Sequence, residues 1–136
     1  MTFQWLQMRI SEENDRRRRE KSTLERLPKA LEEVRTNVEN CVTAYCDAFG
    51  RDTARVTGDS KVFRVSTADQ RVEVTLDPLI PGFQVHRAGA DPLIVEVGLL
   101  PGEKLYFRDK TRDQYVTMEE LTRRVLDRIF FPKLAE

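Results

Sequence analysis

From Leu24 to Ala48, apolar or small residues recur at Leu24, Leu27, Leu31, Val34, Val38, Cys41, Tyr45 and Ala48, in steps of three and four. A strand cannot carry such a seam, because its side chains alternate between two faces. An α-helix gathers all eight positions on one side. Val42 and Phe49 widen the stripe to a breadth that suits packing on a sheet, and Gly50 supplies a stop. Beyond Gly50 the period falls to two. Arg71 to Leu76 alternates polar and apolar without error, the pattern of a strand with one wet face. The chain must therefore lay an amphipathic helix on a half-wet sheet.

The other strand candidates follow the same rule. Lys61 to Thr67 carries Val62, Phe63 and Val65, and Gly82 to Ala88 sets Phe83 and Val85 against Gln84 and His86. Leu93, Val95 and Val97 form another inward set, and Lys104 to Arg108 follows the Pro101-Gly102 turn signal. Thr53 to Thr57 and Gln114 to Thr117 are weaker. Short links rich in proline and glycine suit antiparallel hairpins and exclude parallel crossovers. Thr117-x-x-Glu120 is a capping box opening a last helix with Leu121, Val125, Leu126, Ile129 and Phe130, while Arg123, Arg124 and Arg128 face elsewhere. The expected fold is α+β, with an N-terminal helix kinked or broken at Pro28, an antiparallel sheet of five to six strands and a C-terminal helix. Both helices have one apolar stripe and the strands one apolar face, so both are expected on the same side of the sheet.

Upstream of the seam the pattern changes. Ser11-Glu12-Glu13 reads as a helix start. The four arginines that follow, Arg16 to Arg19, stand largely four residues after acids: Glu12 before Arg16, Glu13 before Arg17, Asp15 before Arg19. Between Ser11 and Lys21 five basic residues meet four acids, so the run is a helix surface and no polyanion patch. A compact fold of this length is roughly 35–40 Å across. A helix from Ser11 to Phe49 would be ~58 Å long and must overhang or bend back. The division expected is a polar arm over residues 1–21, tipped by Phe3, Trp5, Leu6, Met8 and Ile10, and a single α+β domain over 22–136. An apolar tip needs a dock on its own sheet, on a second copy or on a membrane. With Arg9 alone as a basic contact, the membrane is disfavoured.

Function is less legible. Twenty-three basic and twenty-three acidic side chains cancel, so no global field draws in nucleic acid. The opening MTFQWLQMRI lacks the parts of a secretory signal, and the cytoplasm is the expected compartment. Cys41 and Cys46, five apart on a helix, are too far separated to bridge, and they lack partners for a metal. His86 falls on an outward strand face. No phosphate loop, serine elbow or dinucleotide fingerprint occurs, so no catalytic residue, cofactor site or metal site is assigned. Two readings follow. The first is a non-enzymatic, self-associating interaction module, a homodimer through Phe3, Trp5 and Leu6 of the arm. The alternative is a small-ligand-binding protein or enzyme with a pocket between helix and sheet, rimmed by Tyr106, Arg108, Asp109 and Arg112. Replacing Arg17 and Arg18 together by Gln is expected to leave stability nearly unchanged, since exposed pairs contribute little. Binding of DNA or RNA by the unaltered protein tighter than micromolar at physiological salt, and falling steeply with salt, would overturn the helix-surface reading.

Overall fold

The computed structural model describes residues 3–59, 61–102 and 104–134. Met1 and Thr2 of the expected arm, and Ser60, Glu103, Ala135 and Glu136 of the expected domain, lie outside the described residues. The elements run α1 (Gln4–Phe49), β1 (Ala54–Gly58), β2 (Val62–Thr67), β3 (Arg71–Asp77), β4 (Gly82–Arg87), β5 (Leu93–Leu100), β6 (Lys104–Asp109), β7 (Gln114–Val116) and α2 (Met118–Phe130). The strands form one antiparallel meander in sequence order, β1 to β7. Both weak strand candidates are present, making seven strands where five to six were expected. They are the two edges. Edge strands are covered on fewer sides, and β7 has no buried residue, so their alternation is faint.

Parity along the meander sends one set of side chains to a single face. Phe63, Val65, Val72, Val74, Phe83, Val85 and Val95 are fully buried there. Against them α1 presents Leu27, Ala30, Leu31, Val34 and Val38, and α2 presents Leu121, Val125, Leu126 and Ile129. α1 touches β1, β3 and β5, α2 touches β2, β3 and β7, and the helices touch each other. α2 is capped as its sequence requires: the Thr117 hydroxyl accepts the Glu120 N–H at 3.2 Å, with Glu119 and Glu120 in the first turn. At the end of α1 the Gly50 N–H donates to the Cys46 carbonyl at 2.8 Å, with φ of 125° at the glycine.

α1 departs from expectation at its start. It begins at Gln4, not Ser11, since nothing between Gln4 and Ile10 interrupts a helix and no cap is formed at Ser11. Of the two outcomes expected at Pro28, a kink or a break, the helix does not break there. Pro28 lies on the exposed side, where the Leu24 carbonyl that loses its donor can be hydrated, while Leu27, Ala30 and Leu31 anchor the helix on either side. The rod is ~69 Å long. Its first buried residue is Thr23, so Gln4 to Ser22, about 28 Å, adds nothing to the core. Arg16, Arg19 and Glu20 face the β3–β4 turn at Leu79 to Pro81 across a shallow depression. Upstream of them the helix projects.

The arginine run is neutralised by a pattern slightly different from the expected one. Glu13 accepts from both Arg16 (2.7 Å) and Arg17 (3.1 Å), which holds its carboxyl down at about 2. Arg16 also reaches Glu20 at 2.6 Å, Arg18 pairs with Asp15, and Glu12 turns back to Arg9. Arg19 donates to the Asp15 carbonyl instead of its carboxylate. With i+3 partners in place of some i+4 partners, the run is still a neutralised helix surface.

Leu31 is fully buried at the centre of α1. Leu31→Ala is expected to lower stability by ~2–5 kcal/mol through lost transfer energy and a cavity. Urea denaturation measures the change, and a loss below ~0.5 kcal/mol would remove Leu31 from the core.

Candidate functional site

Three surfaces stand apart from ordinary packing. The first is the tip of α1. Phe3, Trp5, Leu6, Met8 and Ile10 are all exposed, Trp5 to 66%. Leu6 and Ile10 share one side of the helix, and Trp5 and Met8 lie about 150° around from them. The tip is thus apolar on two opposed sides, which no single flat surface can cover. No own-sheet contact buries it: of the described arm residues upstream of Ser22, only Glu13 is even half-buried.

The second surface is a groove of about 480 Å³ at the other end of the same helix, between α1 and α2. Cys41, Ala44, Tyr45 and Ala48 line one wall, and Leu126, Phe130 and Phe131 the other. Tyr45 stacks on Phe130 at 4.3 Å between centroids and meets Phe49 at 4.9 Å and Phe131 at 6.0 Å. Phe49 is nonetheless 60% exposed. Small residues on α1 opposite aromatics from α2 leave a trough that the chain itself does not fill. Cys41 and Cys46 are half-buried free thiols.

The third is a polar cleft of about 360 Å³ where α2 crosses the ends of β4 and β6. Parity carries Arg87 inward after Phe83 and Val85, and Asp109 inward after Phe107. Asp109 is 1% exposed. One of its carboxylate oxygens accepts the N–H groups of Thr111 (3.0 Å) and Arg112 (3.2 Å), and the other accepts from Arg124. Arg124 also donates to Glu120 at 3.2 Å and to Gln114 at 2.9 Å, tying α2 to the β6–β7 hairpin. Arg87 donates through one terminal nitrogen to the Arg124 carbonyl at 3.4 Å. Its Nε is buried without a partner. Burial, then repulsion from the Arg128 and Arg112 guanidiniums, pulls Arg87 below the ordinary arginine value. Arg112, Arg123 and Arg128 complete the basic lining.

The four residues expected at a ligand rim are divided between the two sheet faces. Asp109 and Arg112 line the cleft. Tyr106 and Arg108 alternate to the outer face, where Tyr106 covers Gly98 so closely that a Cβ there would collide with its ring. Burial, then the nearby Glu96, raises the Tyr106 hydroxyl. Tyr106 also meets Tyr115 at 5.3 Å, while Arg108 pairs with Glu96 at 3.4 Å and with Asp113. Phe3, Trp5 and Leu6 are all exposed at the tip. Arg87 and Arg124 are cleft residues that residue order does not single out. The signal for Arg87 is an arginine at an inward parity. For Arg124, together with Arg128, it is a place on the flank of the Leu121–Val125 stripe, off the apolar face as the sequence pattern requires.

His86 is exposed on the outer face, as its parity requires. Among the described residues, no helix is long and apolar enough to cross a membrane. Comparison with family models, curated proteins and solved structures finds no match.

Because Asp109 is buried and holds Arg124 and two backbone N–H groups, Asp109→Ala is expected to cost more than ~2 kcal/mol, the cost of leaving several buried donors without their acceptor. Chemical denaturation measures it, and a loss below ~1 kcal/mol would show that the hairpin and α2 are held by other contacts.

Proposed function

We propose that this protein is a non-enzymatic, self-associating interaction module, in which the α1 tip of one copy enters the α1–α2 groove of another. The observation that carries this reading is the tip itself: exposed, apolar on two opposed sides, and held beyond its own sheet by a salt-bridged helix. A tip of that shape is covered by a trough with two walls, and the groove has one helix on each side. Tip and groove lie ~58 Å apart on one rod, from Leu6 to Tyr45. Two rods side by side and antiparallel place each tip at the other's groove. The arrangement closes as a twofold dimer without leaving a free end. Trp5 and the Tyr45–Phe49–Phe130–Phe131 cluster supply the aromatic area from which interface hot spots are made. On this reading residues 1–21 are the arm and 22–136 the folded body, and the free thiols of Cys41 and Cys46 accord with the reducing cytoplasm.

A second reading, a small-ligand site between helix and sheet, draws on a different observation, the buried unpartnered Nε of Arg87.

Light scattering on the full chain and on a deletion of residues 1–21 tests the dimer. The full chain is expected at twice the monomer mass. The deletion is expected to be monomeric and folded, since Thr23 is the first buried residue of α1. Phe49→Asp, at an exposed position in the groove, is expected to dissociate the dimer as completely as Trp5→Asp does, each removing a hot spot worth more than ~2 kcal/mol. A monomeric full chain would end the proposal. A dimer that survives the deletion would place the interface elsewhere.

A further inference from the structure

We infer that the cleft between α2 and the ends of β4 and β6 is an anion site built for a phosphate group, free or esterified to a small molecule. This inference rests on the ligand-site reading and is independent of self-association. It begins with Arg87, whose Nε is buried and unpartnered although the residue lines an open cleft. Arg87 has one long hydrogen bond, to the Arg124 carbonyl, for five N–H groups, and a guanidinium so poorly partnered beside a cleft calls for an acceptor there.

Three of the four acids that line the cleft are engaged elsewhere. Asp109 is occupied by Arg124 and two backbone N–H groups, Glu120 by Arg124 and Arg123, and Asp127 by Arg123 at 4.0 Å. Asp91 lies exposed at the mouth. Arg112, on the turn before β7, forms no ion pair among the described residues, and Arg128 brings a further guanidinium to the same cleft. Arg87 feels the repulsion of both. Like charges converging on a partly desolvated arginine are stabilised by an anion placed between them.

The chemistry selects the anion. Guanidinium forks match the oxygens of a phosphate in pairs. A phosphomonoester carries about −1.5 to −2 charges near neutral pH, enough to offset more than one guanidinium, where a carboxylate carries a single charge. The cleft, about 360 Å³, falls within the roughly 300–1,000 Å³ range of small-molecule pockets, so it has room for an organic body beside the phosphate. Pro92 and Leu93 give that body an apolar wall.

Calorimetric titration of the full chain at neutral pH, with inorganic phosphate, glycerol phosphate and acetate in separate arms, tests the site. Saturable binding of one phosphate per chain is expected. Arg87→Gln and Arg112→Gln are each expected to weaken it by about tenfold or more, the loss of a hydrogen bond to a charged group. Arg64→Gln, on the outer face of the sheet and away from the cleft, is expected to bind as the parent does. Arg112 is exposed on a turn, so its variant reports even if the Arg87 variant does not fold. Tighter binding of glycerol phosphate than of inorganic phosphate marks an esterified ligand, and the reverse marks the free ion. Phosphate binding that the Arg112 variant and a folded Arg87 variant both retain would overturn the proposal. Binding of acetate alone would overturn it while leaving a ligand site standing, and no binding in any arm would remove both.

Discussion

A seven-stranded meander has two faces, and this chain supplies helices for only one of them. That imbalance governs the structure. Phe63, Val65, Val72, Val74, Phe83, Val85 and Val95 must all point to the covered side, so the register of every hairpin is fixed by parity, and a slip of one residue would put the whole set in water. The outer face is left to Arg64, Glu73, His86, Glu96 and Arg108, whose cross-strand pairs, such as Arg64 to Glu73 at 2.6 Å, keep it wet and in register. α1 is longer than the sheet is wide, so covering the sheet and projecting beyond it are consequences of the same rod.

Where one face is dry and the other wet, the pattern in the sequence is strong. Arg71 to Leu76 and the Leu27–Leu31–Val34–Val38 seam lie on such boundaries, and both are readable from residue order alone. The edges are not, because Gln114 to Val116 are exposed on nearly every side and burial imposes no alternation on them. The start of α1 is hidden for a related reason. Ser11 has the chemistry of a cap, but a cap matters only where the helix has cause to stop, and nothing at Ile10 stops it. At Pro28 residue order leaves a kink or a break open: its cost falls on a carbonyl that solvent can reach, so the buried neighbours decide against a break.

The candidate sites show the same division between local and nonlocal information. Trp5 and Leu6 announce themselves because apolar residues ahead of a charged helix need cover. Tyr106, Arg108, Asp109 and Arg112 are neighbours in sequence and look like one cluster, yet a strand sends alternate residues to opposite faces, and only Asp109 and Arg112 share the cleft. Their real neighbours, Arg87 and Arg124, arrive from two other elements. The groove depends on the aromatic cluster joining Tyr45 to Phe130, residues at the far ends of two helices that no periodicity could bring together.

The strict sequence order of the meander has a kinetic consequence. Each strand pairs with the next across a link of a few residues, so the sheet is assembled almost wholly from hairpins, whose closure involves little loop entropy and takes microseconds in isolation. Any turn can nucleate, and pairing can spread from it in both directions. The contacts of greatest sequence separation are those of the helices, above all where α1 meets α2. Hairpins gain little until their apolar face is covered. The docking of those two helices, carrying Leu31 and Val34 from one end and Leu121 and Val125 from the other, is therefore the step whose loop closure involves the most entropy.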